Sequence, residues 1–249
     1  MPAHLFAEMT WEELRDLDKR STVAIVPVGA VEAHGPHLPV GTDVVIAEGM
    51  ARACAEELEE SGFTGLVLPP LWYTAAPFAG NFPGTIGVQA DMVTDLLIQI
   101  ATSLREQEIT TLAIANAHLD PVHLSSLHQA VKKAPEDTRI VFLDLSRRRV
   151  AARLSEEFQT GACHAGQFEG SIVRAERPDL FRKDVAAKLA PNPSSLSLAI
   201  QEGHQNFEDA GGPRAYFGWP AEATAEEGRA TLVTLGHLLA EAILDGEIL

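Results

Sequence analysis

The chain has 249 residues, 46% of them hydrophobic and 22% charged, the profile of a soluble globular protein with apolar material for a sizeable core. Lys+Arg 19 against Asp+Glu 35 leaves a net charge of −16, which disfavours nucleic acid and anionic membranes as partners. No apolar run reaches the length of a membrane span, and the start MPAHLFAEMTWEEL lacks a basic-then-apolar leader, so the expected compartment is cytoplasmic.

Strands and helices alternate along the chain. Thr10 and Glu13 form a capping box at a helix start. Thr22 to Val28 is a β-branched run with the length of a buried strand. Thr42 is expected to cap a helix running to about Glu60, and Leu66 to Leu68 to form a short strand stopped by Pro69-Pro70. Met92, Val93, Leu96, Leu97, Ile100 and Leu104 recur at helical spacing as one apolar face. Thr111 to Ala115 and Ile140 to Leu145 read as further core strands. Arg147-Arg148-Arg149 reads as the solvated face of a helix rather than a polyanion site. Pro191 to Ser195 is a loop, inserted or mobile, and Leu232, Leu235, Leu238, Leu239, Ala242 and Ile243 make a last helical stripe. Wholly apolar strands between helices imply an α/β fold with a mostly parallel sheet covered on both faces.

Chemistry concentrates in loops that follow strands. The segment Gly29 to Asp43 sets Glu32, His34, His37 and Asp43 among glycines and prolines directly after the first strand. Carboxylate and imidazole together suit Zn, Mn or Fe ions, although an ordinary polar loop can also hold two histidines. Asn116-Ala-His118-Leu-Asp120 follows another strand, and Cys163-His164-Ala-Gly-Gln-Phe-Glu169 adds a third loop with imidazole and carboxylate. Three such loops can converge at one edge of a parallel sheet, and that donor count fits two ions better than one structural zinc. Cys54 and Cys163, the only cysteines, form no C-x-x-C pair, and Cys54 belongs in a buried helical stretch. His4 is expected in solvent near the terminus, His123 and His128 in the helix after His118, and His204 and His237 at surface or packing positions. His37 is a candidate to hydrogen-bond a ligand carboxylate. No G-x-S-x-G, P-loop or post-strand G-x-G-x-x-G occurs.

These segments resemble the creatininase (creatinine amidohydrolase) family. The stretch PVGAVEAHGPHLPVGTD over residues 27–43 is similar to its metal loop nearly throughout. Asn81-Phe-Pro-Gly-Thr85, Asn116-Ala-His118, His164 to Ser171, Phe217 to Pro220 and Ala223 to Gly228 resemble its later motifs in family order. The resemblance implies a single α/β/α domain over residues 1–249 and a hydrolase of C–N amide bonds carrying two divalent metal ions. It implies that Glu32, Asp43 and His118 hold one ion, and that His34 and Asp43 hold the second, with Asp43 bridging. Asp120 would be a further ligand of the second ion, His164 the proton shuttle, and Glu169 an outer ligand or a partner to His164. It also implies a homo-oligomer, commonly a hexamer.

Departures from the family pattern bear on substrate. Phe78 and Ala79 stand where relatives commonly carry Glu and His, and the segment after His118 reads Leu-Asp-Pro. A more apolar lining points away from creatinine toward another cyclic amide, a formamide or a peptide-like amide, with Trp72, Phe78 and Trp219 as substrate-binding candidates; Phe168 is a fourth aromatic candidate wall. Two other readings compete: a catalytically silent metal-binding relative with an assembly role, and a lone structural metal.

Overall fold

A computed structural model describes residues 4–245. Five strands, β1 (His4–Leu5), β2 (Thr22–Val28), β3 (Thr64–Val67), β4 (Thr111–Asn116) and β5 (Arg139–Phe142), form one parallel sheet in the order β1-β3-β2-β4-β5. Among the described residues ten α-helices accompany them: α1 (Trp11–Asp16), α2 (Thr42–Glu60), α3 (Ala90–Glu106), α4 (Pro121–Lys132), α5 (Arg148–Ala151), α6 (Glu156–Thr160), α7 (Gln167–Glu176), α8 (Lys183–Ala186), α9 (Leu196–Gln201) and α10 (Ala225–Leu244).

The strand sequences explain the layering. Successive side chains of a strand point to opposite faces. Val23 and Ile25 of β2 and Ala113 and Ala115 of β4 therefore face one core with α2, α7 and α10. Ala24, Val26 and Val28 of β2, with Leu112 and Ile114 of β4, face the other core with α3 and α4. Both faces are buried, so neither strand needs polar alternation. The result is the expected three-layer α/β/α arrangement. Helix α2 leaves β2 toward one face and α4 leaves β4 toward the other. The carboxyl ends of β2 and β4 therefore flank the crevice at which open parallel sheets bind ligands.

Several local expectations hold. Thr10 accepts from the Glu13 N–H, and the Glu13 carboxylate accepts from Thr10 N at 2.7 Å. Cys54 is fully buried, and Leu232, Leu235, Leu238, Leu239, Ala242 and Ile243 of the C-terminal stripe are all buried.

Others shift. The cap of α2 is Gly41, and Thr42 is its first residue, its hydroxyl donating to Pro39 O at 2.7 Å. In α3 the buried face is Val93, Thr94, Leu97, Ala101 and Leu104; Met92 and Leu96 lie on the exposed side, because a stripe that broad exceeds the arc one sheet face can cover. The β5 pairing ends at Phe142, three residues before the expected Leu145. His4 pairs with Glu59 at 3.5 Å in the edge strand β1, whose two residues are too short for a periodicity signal. The 191–195 loop is pinned: Asn192 and Gly218 exchange both backbone hydrogen bonds, and the Asn192 amide donates to Gly211 O and Tyr216 O at 3.0 Å each.

Candidate metal centre

The centre begins at the end of β2. A Cβ on Gly29 would meet Val44 N at 2.6 Å and Asp43 C at 2.7 Å, so only glycine lets the first turn of α2 come down on this strand end. That approach carries the Asp43 carboxylate to the crevice, while the connecting loop supplies Glu32 and His34. From β4, Asn116 shapes the next turn: its amide donates to His118 O at 2.7 Å, and its Oδ1 accepts from His123 Nε2 at 2.9 Å. His164 comes from the loop before α7, and Glu169 from that helix's first turn.

Three histidines are held in defined tautomers. A carbonyl oxygen only accepts, so the ring nitrogen facing one must carry hydrogen. His34 Nδ1 donates to Glu32 O at 3.1 Å, His118 Nε2 to Ala75 O at 2.9 Å, and His164 Nε2 to Ala33 O at 2.9 Å. Each ring is thereby left with its other nitrogen turned toward the carboxylates. His34 Nε2 lies 2.9 Å from Asp43 Oδ1 and 3.5 Å from Glu169 Oε2. His118 Nδ1 lies 3.2 Å from Asp43 Oδ2 and 3.3 Å from Glu32 Oε1. His164 Nδ1 lies 3.8 Å from Glu32 Oε1. Asp43 thus offers one oxygen to each of two histidines.

The electrostatics are those of a buried acidic cavity in which imidazoles face carboxylates. Glu32, Asp43 and Glu169 are all at least 95% buried, and burying a carboxylate without full compensation costs several kcal/mol. Burial opposes protonation of His34, but Asp43, Glu169 and Glu32 outweigh it and raise its pKa to about 10. Burial also works against the charged form of His118, yet Glu32 and Asp43 hold it well above its ordinary value. Burial, reinforced by Asp43 and Glu32 against the pull of His34, pushes the Glu169 carboxyl up to about 8. His164 runs the other way: burial and the neighbouring His34 hold it well below the ordinary imidazole range, hence neutral. Glu32 Oε2, Asp43 Oδ2 and His34 Nε2 are buried with no hydrogen-bond partner of good geometry. Orphaned lone pairs of this kind, oxygen and nitrogen together, fit divalent cations. The donor atoms form three overlapping groups: Glu32, Asp43 and His118; His34, Asp43 and Glu169; and Glu32, His34 and His164.

Against this geometry, the family model described as creatinine amidohydrolase matches residues 7–243. The chain belongs to the creatininase family. A mycofactocin precursor peptide peptidase of Mycobacterium tuberculosis is 30% identical over 86% of this chain and 81% of its own length. A 3-dehydro-scyllo-inosose hydrolase of Thermotoga maritima is 26% identical over 75% of this chain and 60% of its own. A solved creatininase structure superposes with a TM-score of 0.73 at 22% identity over 98% of both chains, a shared fold. The chain is thus an enzyme of hydrolase type, and its buried nitrogen and oxygen donors suit a divalent metal.

In this creatininase-family chain the expected ligands Glu32, His34, Asp43 and His118 converge, and Glu169 approaches His34 rather than His164. Asp120 reaches the cavity wall, but both its oxygens are engaged: Oδ1 accepts from Val122 N at 2.8 Å as the cap of α4, and Oδ2 from Phe78 N at 2.9 Å. It belongs to none of the three donor groups. Beside the centre opens a cavity of about 540 Å³ that Phe78 lines. Trp72 and Trp219 do not line it. Trp72 is largely exposed and rests over Gly41, and Trp219 is half-buried, its N–H donating to Glu157 at 2.7 Å. Phe168 packs on Phe158, their ring centroids 4.9 Å apart, in the core under α7. His37 is buried outside the cavity, edge-on to Phe181, with both ring nitrogens unpartnered. Phe207 escaped the sequence reading altogether. It lines the cavity and stacks on His164, and the loop that carries it has no periodicity to reveal a buried aromatic.

Among the described residues, no helix is long and apolar enough to cross a membrane.

Proposed function

We propose that this protein is a two-metal amidohydrolase. Glu32, Asp43 and His118 would hold one divalent ion, and His34, Asp43 and Glu169 the other, Asp43 being common to both donor groups. The observation that carries this is the division of the Asp43 carboxylate, Oδ1 toward His34 and Oδ2 toward His118. Zn, Mn and Fe all suit mixed nitrogen and oxygen donors. Bound there, a pair of such ions makes a water acidic enough to attack near neutral pH and polarises a carbonyl.

The remaining work belongs to the chain. Ala33 O fixes His164 by holding Nε2–H, which leaves Nδ1 facing the centre as a proton acceptor. At Nδ1 His164 takes the proton of the attacking water and hands it to the departing nitrogen, which otherwise leaves poorly. Phe78 and Phe207 keep bulk water from the reacting amide. Asp120, whose oxygens accept from Phe78 N and Val122 N, positions Phe78 and the start of α4. The apolar wall favours a formamide, a cyclic amide or a peptide-like amide over creatinine itself. Assembly as a homo-oligomer follows from the family alone and is read by light scattering.

The test is a panel of formamides, lactams and short peptides assayed with protein stripped by chelator and then reloaded with Zn, Mn or Fe. Hydrolysis of at least one class that vanishes on stripping and returns on reloading supports the proposal. Full metal loading without turnover across the panel supports the silent-relative reading instead.

A further inference from the structure

The cavity beside the metal centre carries one guanidinium among the described residues. Arg147 pairs with Asp144 at 3.1 Å, Arg153 with Glu241, and Arg149 also has a partner. The Arg148 guanidinium, like those of Arg20, Arg214 and Arg229, has no hydrogen bond or ion pair among the described residues, although the sequence holds 35 Asp and Glu against 19 Lys and Arg. It is also the one Lys or Arg side chain among the described residues that line the cavity beside the metal centre.

Topology sets where it stands. The centre's ligands follow β2 and β4, and Arg148 follows the edge strand β5. Adjacent strands lie about 4.8 Å apart, so Arg148 enters the cavity laterally, one strand beyond His118. Apolar side chains also line the cavity, chiefly Phe78, Leu119, Leu196 and Phe207. At about 540 Å³ the cavity exceeds what a small ring amide fills, and falls in the range of about 300–1,000 Å³ that buries a ligand of many heavy atoms.

We infer that the substrate is an elongated amide with an apolar body and an anionic end, a carboxylate, and that Arg148 binds that end while the amide sits at the centre. A guanidinium offers a fork of N–H donors that matches a carboxylate in two parallel bonds. The apolar stretch rejects a substrate charged along its length, because a charge there would be buried without a partner. This assignment rests on the amidohydrolase reading and deepens it.

The test compares N-acetyl-Leu-Phe as its free acid with the same peptide as its C-terminal carboxamide, on metal-loaded wild type, Arg148→Ala and Arg148→Lys. Expected is a preference of about tenfold in kcat/KM for the free acid in wild type, the scale of one charge-assisted hydrogen-bond pair partly open to water. Arg148→Ala loses that preference through KM, Arg148→Lys keeps part of it, and the carboxamide is cleaved equally by all three. Equal rates on both peptides in wild type, or a preference undiminished in Arg148→Ala, overturns the assignment.

Binding of both peptides by calorimetry separates this failure from failure of the hydrolase reading. Should neither peptide turn over, free acid bound about tenfold tighter by wild type than by Arg148→Ala still supports Arg148. Equal binding means that the carboxylate sits elsewhere, on the metals included, and overturns the proposal. An unchanged melting temperature in Arg148→Ala checks that the fold is intact.

Discussion

His164 lies flat against Phe207, their ring centroids 4.1 Å apart and their planes 27° from parallel. Ala33 O restrains the same imidazole through Nε2–H. One contact sets the plane of the ring and the other its rotation, so Nδ1 has a single direction available.

Phe207→Leu is therefore expected to lower kcat about tenfold, since a wandering base loses part of the 10²–10⁴-fold worth of proton transfer. Metal content stays as in wild type, because Phe207 touches no ligand oxygen or nitrogen. Steady-state kinetics beside elemental analysis decide it; a fall in metal content would place Phe207 in the metal site instead.

Removing metal exposes the cost of the acidic cavity. At free metal about 100 times Kd, each site adds about 2.7 kcal/mol, and at about 2–4 °C per kcal/mol for a chain of this size one site accounts for a melting-temperature drop of roughly 5–10 °C. Affinity should climb with pH as the His34 proton, held to about 10 by the surrounding carboxylates in spite of burial, is given up to the ion. Calorimetric titration between pH 6 and 9 checks the sign, and affinity that is flat or falls with pH contradicts it.

Glu157 clamps three segments. Its carboxylate accepts from Gln167 N at 2.7 Å, Phe168 N at 2.6 Å and Trp219 N at 2.7 Å, tying α6 to the start of α7 and to the loop before α10. A Cβ on Gly218, at φ +80°, would stand 2.0 Å from Glu157 Oε1, so glycine there is a condition of the clamp. Glu157→Ala leaves buried donors unpaired and is expected to cost about 3 kcal/mol, roughly 6–12 °C of melting temperature. A loss under 2 °C by scanning calorimetry would mean that the loop is held by other contacts.

Asp144 supplies an acid-stability signature. Burial opposes its charge, but the Ser146 hydroxyl and N–H and the His128 ring hold its carboxyl below the ordinary carboxylate range. A depressed folded pKa contributes stability that is present above the unfolded value of about 3.9 and is lost as pH falls through the folded one. Asp144→Asn should therefore lower the melting temperature at pH 7 and flatten its decline between pH 5 and 2. A parallel downward shift at every pH would assign the loss to packing alone.

Neither thiol is expected to do the chemistry. Burial, with Glu169 nearby, pushes the Cys163 thiol up to about 12, and burial raises Cys54 as well. Cys163→Ser, on the cavity wall, should keep kcat within about twofold of wild type, since thiolate is the reactive form and little is present. Loss of activity in that variant would point to a thiol nucleophile.

The convergence of the candidate metal donors was legible because they are written in short runs at strand ends: Glu32, His34 and Asp43 after β2, His118 after β4. What the runs could not reveal is competition for a carboxylate. Asp120 reads as a ligand beside His118, yet Pro121 starts a helix whose free N–H groups claim it first. Aromatic residues announce burial without saying against what, so Trp72 and Trp219 were indistinguishable from Phe78 by type. Phe207 and Arg148 come from irregular or edge segments that meet the cavity only through tertiary packing.

The most direct measurement is elemental analysis of metal-saturated wild type beside Asp43→Asn. Two ions bridged by Asp43 predict two equivalents of divalent metal per chain in wild type, and one or none, with activity lost, in the variant. One equivalent or less in saturated wild type, or two retained in Asp43→Asn, would contradict the account.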